Sequence, residues 1–183
     1  MKKIVIVVLG YDRPGIIAGV SRILFSQGYN IEDVSQTILQ TEFVGVFIAS
    51  APEGASEEML LAELRAMLEP MGLLVNIKPM EEAGEWRQPP SEPFVITTVG
   101  PDRPGLVAGI TDLLARYGVN ITNLKAVSKG SRTVRHYIMV YEVDIPLSID
   151  QKTFREALHD RALELGLDVN MQHRAIFEQI HRV

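Results

Sequence analysis

The 183-residue chain contains no cysteine, which removes disulfide staples, thiolate zinc sites and a cysteine nucleophile together. It also lacks a long hydrophobic run. The longest, Ile4 to Leu9, follows Lys2 and Lys3 but is too short to span a bilayer or to form the core of a signal peptide. A cytoplasmic chain without a membrane span is therefore expected. Positive charge is scarce: 18 Lys and Arg stand against 23 Asp and Glu, for a net charge of −5. Such a chain offers no general attraction for a phosphate backbone, and no direct contact with nucleic acid is expected. Neither a P-loop, a G-x-S-x-G, an H-E-x-x-H nor a dinucleotide fingerprint occurs, so the expectation is no enzyme and no cofactor. The four histidines, His136, His159, His173 and His181, lack the close spacing of metal ligands, and no metal is expected.

What is present suffices for a core. Hydrophobic residues make up 46% of the chain, enough buried surface to offset chain entropy. The length allows one domain or two, and an internal repeat decides between them. Residues 10–20 read GYDRPGIIAGV and residues 100–110 read GPDRPGLVAGI, with 7 identities in 11 positions and three apolar-for-apolar exchanges. The register continues through Gly28 and Gly118, Asn30 and Asn120, Ile31 and Ile121. It then slips by four before Gly72, Val75 and Asn76 match Gly166, Val169 and Asn170, which implies a longer hairpin in the second copy. Between the copies, PMEEAGEWRQPPSEP holds four of the ten prolines and reads as a linker. The expected organisation is a module over 1–80, a linker over 81–92 and a second module over 93–183.

Within each copy the apolar pattern changes period. Ile4 to Leu9 and Phe94 to Val99 predict strands buried on both faces. Ile16, Ile17, Val20, Ile23, Leu24 and their counterparts Leu106, Val107, Ile110, Leu113, Leu114 predict helices, ended by Gly28 and Gly118. Tyr29 to Gln40 with Glu42 to Ser50, and Val119 to Lys129 with Thr133 to Asp144, predict hairpins. Ser56 to Glu69 and Asp150 to Leu165 predict second helices capped by Ser56 and Asp150. Leu73 to Lys78 and Leu167 to Met171 close each copy as a strand. The order is βαββαβ, the ferredoxin-like split βαβ. The fold class is thus α+β, two such modules in tandem, with helices on one face of each antiparallel sheet and the other face open.

The turn after the first strand carries the chemistry. Pro14 and Pro104 suit a first helical turn, and Asp12 and Asp102 can accept from its free amides. Gly15 and Gly105 stand where a helix former would be better by up to about 1 kcal/mol. Two explanations are open: close approach of a ligand or of backbone to the helix start, or a fold that needs positive φ or tight packing of helix on sheet. A helix start favours a carboxylate, and a neighbouring aspartate can meet an ammonium group, so both poles of an amino acid are matched. Asn30 and Asn120 open the second strand, either as turn residues or as amides that donate and accept to a ligand.

These residues carry a resemblance. The βαββαβ order, DRPG after the first strand, and G-x-N-I (Gly28, Asn30, Ile31; Gly118, Asn120, Ile121) resemble the ACT domain, a small regulatory module that binds amino acids. The tandem pair is most similar to the glycine-cleavage-system transcriptional repressor family. The resemblance implies a ligand seat between the DRPG loop of one module and the start of the second strand of a neighbouring module. It implies as ligand-binding residues Asp12, Arg13, Pro14, Gly15, Asn30 and Ile31, with Asp102, Arg103, Pro104, Gly105, Asn120 and Ile121. It further implies a small amino acid ligand, glycine, serine or a branched-chain residue. Unpaired sheet edges and one uncovered apolar face predict self-association, and a homodimer is expected. The partner implied is a transcription activator, or a catalytic subunit if the chain is a detached regulatory subunit of an amino-acid or one-carbon enzyme. An association module without ligand is the third reading.

Three further features stand outside the motif. The first half, residues 1–91, holds 7 basic and 12 acidic residues, whereas residues 92–183 hold 11 of each. Lys125, Lys129, Arg132, Arg135 and His136 make the second hairpin basic, either as a solvated surface or as a face for an acidic partner. The βαββαβ order is shared with an RNA-binding module, but Phe43 and Phe47 lie in a strand without Lys or Arg and do not form its aromatic pattern. Trp86 reads as an anchor for the linker.

Overall fold

Ile4, Ile6 and Val8 of β1 (Lys3–Tyr11) are wholly buried, while Val7 and Leu9 are 36% and 41% exposed. The run expected to be covered on both faces is covered on one, because both helices of the module pack on the same side of the sheet. This is seen in a computed structural model that describes residues 2–80, 89–130 and 135–181. The chain divides into two units near residue 86. Trp86, Arg132, Thr133 and most of the expected linker lie outside the described residues.

In module 1, β1 is followed by α1 (Ile16–Ser26), β2 (Asn30–Leu39), β3 (Glu42–Ser50), α2 (Glu57–Leu68), a short 3₁₀ turn and β4 (Leu73–Pro79). The strands form one antiparallel sheet in the order β2-β3-β1-β4. Ile16, Val20 and Leu24 of α1 and Leu60, Leu64 and Leu68 of α2 recur at helical spacing and close over Ile4, Ile6, Val8, Phe43 and Phe47. Both phenylalanines are at most 2% exposed and so are not available to stack on bases. Ser56 caps α2 by accepting from the Met59 amide at 3.2 Å.

Module 2 repeats this with β5 (Ser91–Pro101), α3 (Leu106–Arg116), β6 (Asn120–Gly130), β7 (Arg135–Pro146), α4 (Gln151–Glu164) and β8 (Asp168–His173), in the sheet order β6-β7-β5-β8. β5 takes in residues 91 and 92 of the stretch read as linker. Asp150 caps α4 by accepting from the Thr153 amide at 2.9 Å; a bond from the Thr153 hydroxyl, and then this amide bond, hold its carboxyl below the usual range. Each module is the ferredoxin-like βαββαβ unit, and the chain is α+β.

Among the described residues, one element has no counterpart in module 1. Directly after β8, α5 (Arg174–His181) packs on β5 and β8. Val95, on the sheet face turned away from the core, is only 3% exposed, and Phe177 shares a crevice with Val95, Thr97 and Val140. The outer face of this sheet, expected to be open, is therefore partly covered.

Candidate functional site

The two DRPG turns fold alike. The Asp12 amide donates to the Thr41 carbonyl at 2.8 Å and the Asp102 amide to the Arg135 carbonyl at 3.2 Å, which pins the start of each turn to the strand beside it. Gly15 and Gly105 are the N-cap residues, at φ 97° and 89°, and among the described residues no side chain caps either helix. Their carbonyls accept from Gly19 and Gly109 at 2.8 Å, the first bonds of each helix.

Two expectations are corrected here. Asp12 and Asp102 do not cap, since the Asp102 carboxylate instead accepts from the Ser128 hydroxyl at 2.9 Å and the N-cap position belongs to glycine. Pro14 and Pro104 stand before the N-cap rather than in the first helical turn. A Cβ on Gly15 or Gly105 would meet nothing within 4 Å, so positive φ, rather than crowding, accounts for glycine. With no side-chain cap, the first-turn amides are left for solvent or a ligand.

Each turn borders an open cleft. In module 2 the cleft, of about 1190 Å³, is lined by the 101–108 turn and helix start together with Thr111, Arg135 and Tyr137. In module 1 it is about 600 Å³ and is lined by Asp12 to Ala18 with Gln36, Ile38 and Phe43. Asp12, Arg13, Pro14 and Gly15, and equally Asp102, Arg103, Pro104 and Gly105, are thus brought together. Asn30, Ile31, Asn120 and Ile121 are not. Asn30 pairs with Ser50, which faces Lys3, whereas the turn follows Tyr11 at the other end of β1. That is roughly 26 Å away at about 3.3 Å per residue. Ile31 and Ile121 pack against their own cores, and Asn30 and Asn120 are exposed strand residues.

The cleft walls contributed by β2, β3 and β7 were missed from sequence. Their signal is register: Gly10 pairs with Phe43 and Gly100 with Tyr137, which places those rings beside the turn. The histidines are dispersed. His173 makes an edge contact with Phe94 at 5.3 Å, His159 lies 3.9 Å from Asp160, and His136 pairs along the ladder with Pro101. Among the described residues no group of three potential metal ligands forms, and no helix is long and apolar enough to cross a membrane.

Fold and clefts define a class: a tandem ferredoxin-like protein with one strand-to-helix cleft per module. The ACT domain model matches residues 2–78 and 92–172, and the chain belongs to the ACT domain family, as an ACT-domain regulatory protein. A UPF0237 protein of Methanopyrus kandleri is 38% identical over 92 residues, 49% of this chain and 96% of the relative. One of Streptococcus mutans is 37% identical over 76 residues, 42% of this chain and 86% of the relative. These relatives are one module long, and this chain carries two. The two-module fold is shared with an unknown protein from Galdieria sulphuraria (TM-score 0.77, 22% identity, 94% of this chain and 98% of that one). It is shared also with a candidate glycine cleavage system transcriptional repressor (TM-score 0.68, 18% identity, 93% and 96%).

Proposed function

We propose that this chain senses a small amino acid at its DRPG clefts and passes occupancy on through the packing of its modules and partners, as a transcriptional co-regulator acting on other proteins. The observation that supports this best is duplicated. In both modules a left-handed glycine replaces the side-chain cap, so backbone amides at a helix start face an open cleft beside an aspartate and an arginine. Amides and arginine suit a carboxylate, and aspartate suits an ammonium. No activated nucleophile or paired acid and base accompanies them, and we read the chain as a non-catalytic, cytoplasmic homodimer. Because Asn30 and Asn120 lie at the far end of their own sheets, any role in a seat requires a second module to present them.

The test is a thermal-shift and calorimetric screen of the full chain against the amino acids. A ligand at about 100 times its Kd should add roughly 2.7 kcal/mol, a rise on the order of 5 to 10 °C. No response at millimolar concentration would reject sensing in favour of a ligand-free association module. Purification with partners separates the remaining readings: a transcription activator supports co-regulation, and a catalytic chain supports a detached regulatory subunit.

A further inference from the structure

The two clefts are built on one plan but walled by different chemistry. Register and hydrogen bonding align them residue by residue. Phe43 and Tyr137 both face the glycine that precedes the turn. Ile38 pairs with Phe43 as Ser128 pairs with Tyr137. Thr41 and Arg135 both accept from the aspartate amide. Two residues along, Gly45 corresponds to Met139, since each faces the buried strand residue two before the glycine, Val8 or Thr98.

This last exchange explains a displacement. In module 1 the Phe43 ring lies over Gly45, where an added Cβ would come within 2.7 Å of it, and Phe43 is 2% exposed. In module 2 the Met139 side chain is itself wholly buried, and the ring of Tyr137 is only half-buried and lines the cleft. Tyr137 therefore takes the place of Phe43 in the wall, and the position of Ile38 is held by Ser128, whose hydroxyl donates to Asp102. One carboxylate and two guanidinium groups, Asp102 with Arg103 and Arg135, border the larger cleft, against one of each, Asp12 and Arg13, in module 1.

We infer that the module 2 cleft takes an amino acid bearing a second carboxylate, aspartate or glutamate, while the module 1 cleft takes a small uncharged one; the inference rests on the amino-acid reading above. An α-amino acid presents one carboxylate and one ammonium, which the module 1 set matches in charge. The module 2 set has a guanidinium left over. A guanidinium fork pairs with a carboxylate bidentately, and the wider, more polar wall leaves room for the longer side chain.

Calorimetry of the full chain at low salt with glutamate, aspartate, glutamine, asparagine, glycine and inorganic phosphate tests this. Two variants exchange the exposed residues at one position: Arg135→Thr and Thr41→Arg. The expected result is acidic amino acids bound at one site per chain, weakened about tenfold or more by Arg135→Thr, with a second acidic site gained in Thr41→Arg. Equal binding of glutamine and glutamate, equal binding of phosphate, or an Arg135→Thr variant with unchanged glutamate affinity would each overturn the inference. Binding of uncharged amino acids alone overturns it and leaves the sensing function standing. Binding of no amino acid overturns both.

Discussion

A Cβ placed on Gly100 would stand 2.7 Å from the carbonyl oxygen of Gly166, and the same approach recurs in module 1 between Gly10 and Gly72 at 2.8 Å. In each sheet the strand that leads into the cleft is pressed against the turn that opens the last strand. The neighbour is backbone and cannot swing aside. Gly100→Ala is expected to destabilise module 2 by about 1 to 3 kcal/mol, measured by urea denaturation, and to shift the cleft that begins one residue later.

Gly105 is glycine for a different reason, open space with positive φ. Gly105→Val should lower the unliganded transition by more than about 1 kcal/mol, because a β-branched residue is strained there even with nothing to strike. Gly105→Asn should cost less, since asparagine tolerates the left-handed region. Thermal melts of the three proteins without ligand check the order; equal melting temperatures would return close approach of a ligand as the reason for glycine.

Asp12 makes no side-chain hydrogen bond among the described residues, whereas Ser56 caps α2. Ser56→Ala should therefore cost about 1 kcal/mol, and Asp12→Ala less than about 0.5 kcal/mol. A drop in amino-acid affinity for Asp12→Ala with near-normal stability would assign it to a ligand rather than to the fold.

Thr98 is wholly buried, and among the described residues its hydroxyl has no partner; its counterpart in module 1 is Val8, equally buried. Thr98→Val removes an unsatisfied hydroxyl and should stabilise module 2 by about 1 kcal/mol. Denaturant titration decides, and a loss of stability would mean that the hydroxyl is satisfied in solution.

Burial pushes the Tyr141 hydroxyl up to about 12, and its partner is the Met139 sulfur at 3.1 Å. The neutral phenol is favoured in the fold, so this contribution is complete below pH 10 and is lost as the pH rises from about 10 to about 12. Tyr141→Phe, which installs the residue type of Phe47 in module 1, should change stability at neutral pH by less than about 1 kcal/mol. It should also flatten the alkaline loss relative to the parent, as read from melting temperatures across pH 9 to 12.

The repeat made the fold legible. Helical spacing at Ile16, Val20 and Leu24, and capping residues at Ser56 and Asp150, each report a local preference that the tertiary structure keeps. The motif residues before the helix were legible as a cluster, but their roles were not. The sequence Asp-Arg-Pro-Gly looks like a cap followed by a first turn, and only φ shows that glycine itself takes the N-cap. Arg135 was legible as part of a basic hairpin but not as a cleft residue, and Tyr137 escaped notice, because both reach the cleft through strand pairing, which no local pattern encodes. Val95 read as one more residue of a covered strand, and its cover is α5, whose short apolar pattern follows a strand without a turn signal.

β2 and β6 each shift register once, between Ile31 and Asp33 and between Ile121 and Asn123. The extra residue puts Ile31 and Val34, three apart, on one side of the sheet, which is why a simple alternation does not describe β2. Both strands lie at the edge of their sheets, and both skipped residues are occupied: Glu32 pairs with Lys3, and the Thr122 hydroxyl donates to the Glu142 carbonyl at 3.2 Å. A kinked border of this kind is a poor template for a flat, continuous ladder. A second strand laid along it would lose its register at the break, which limits how far a sheet can be extended across this border.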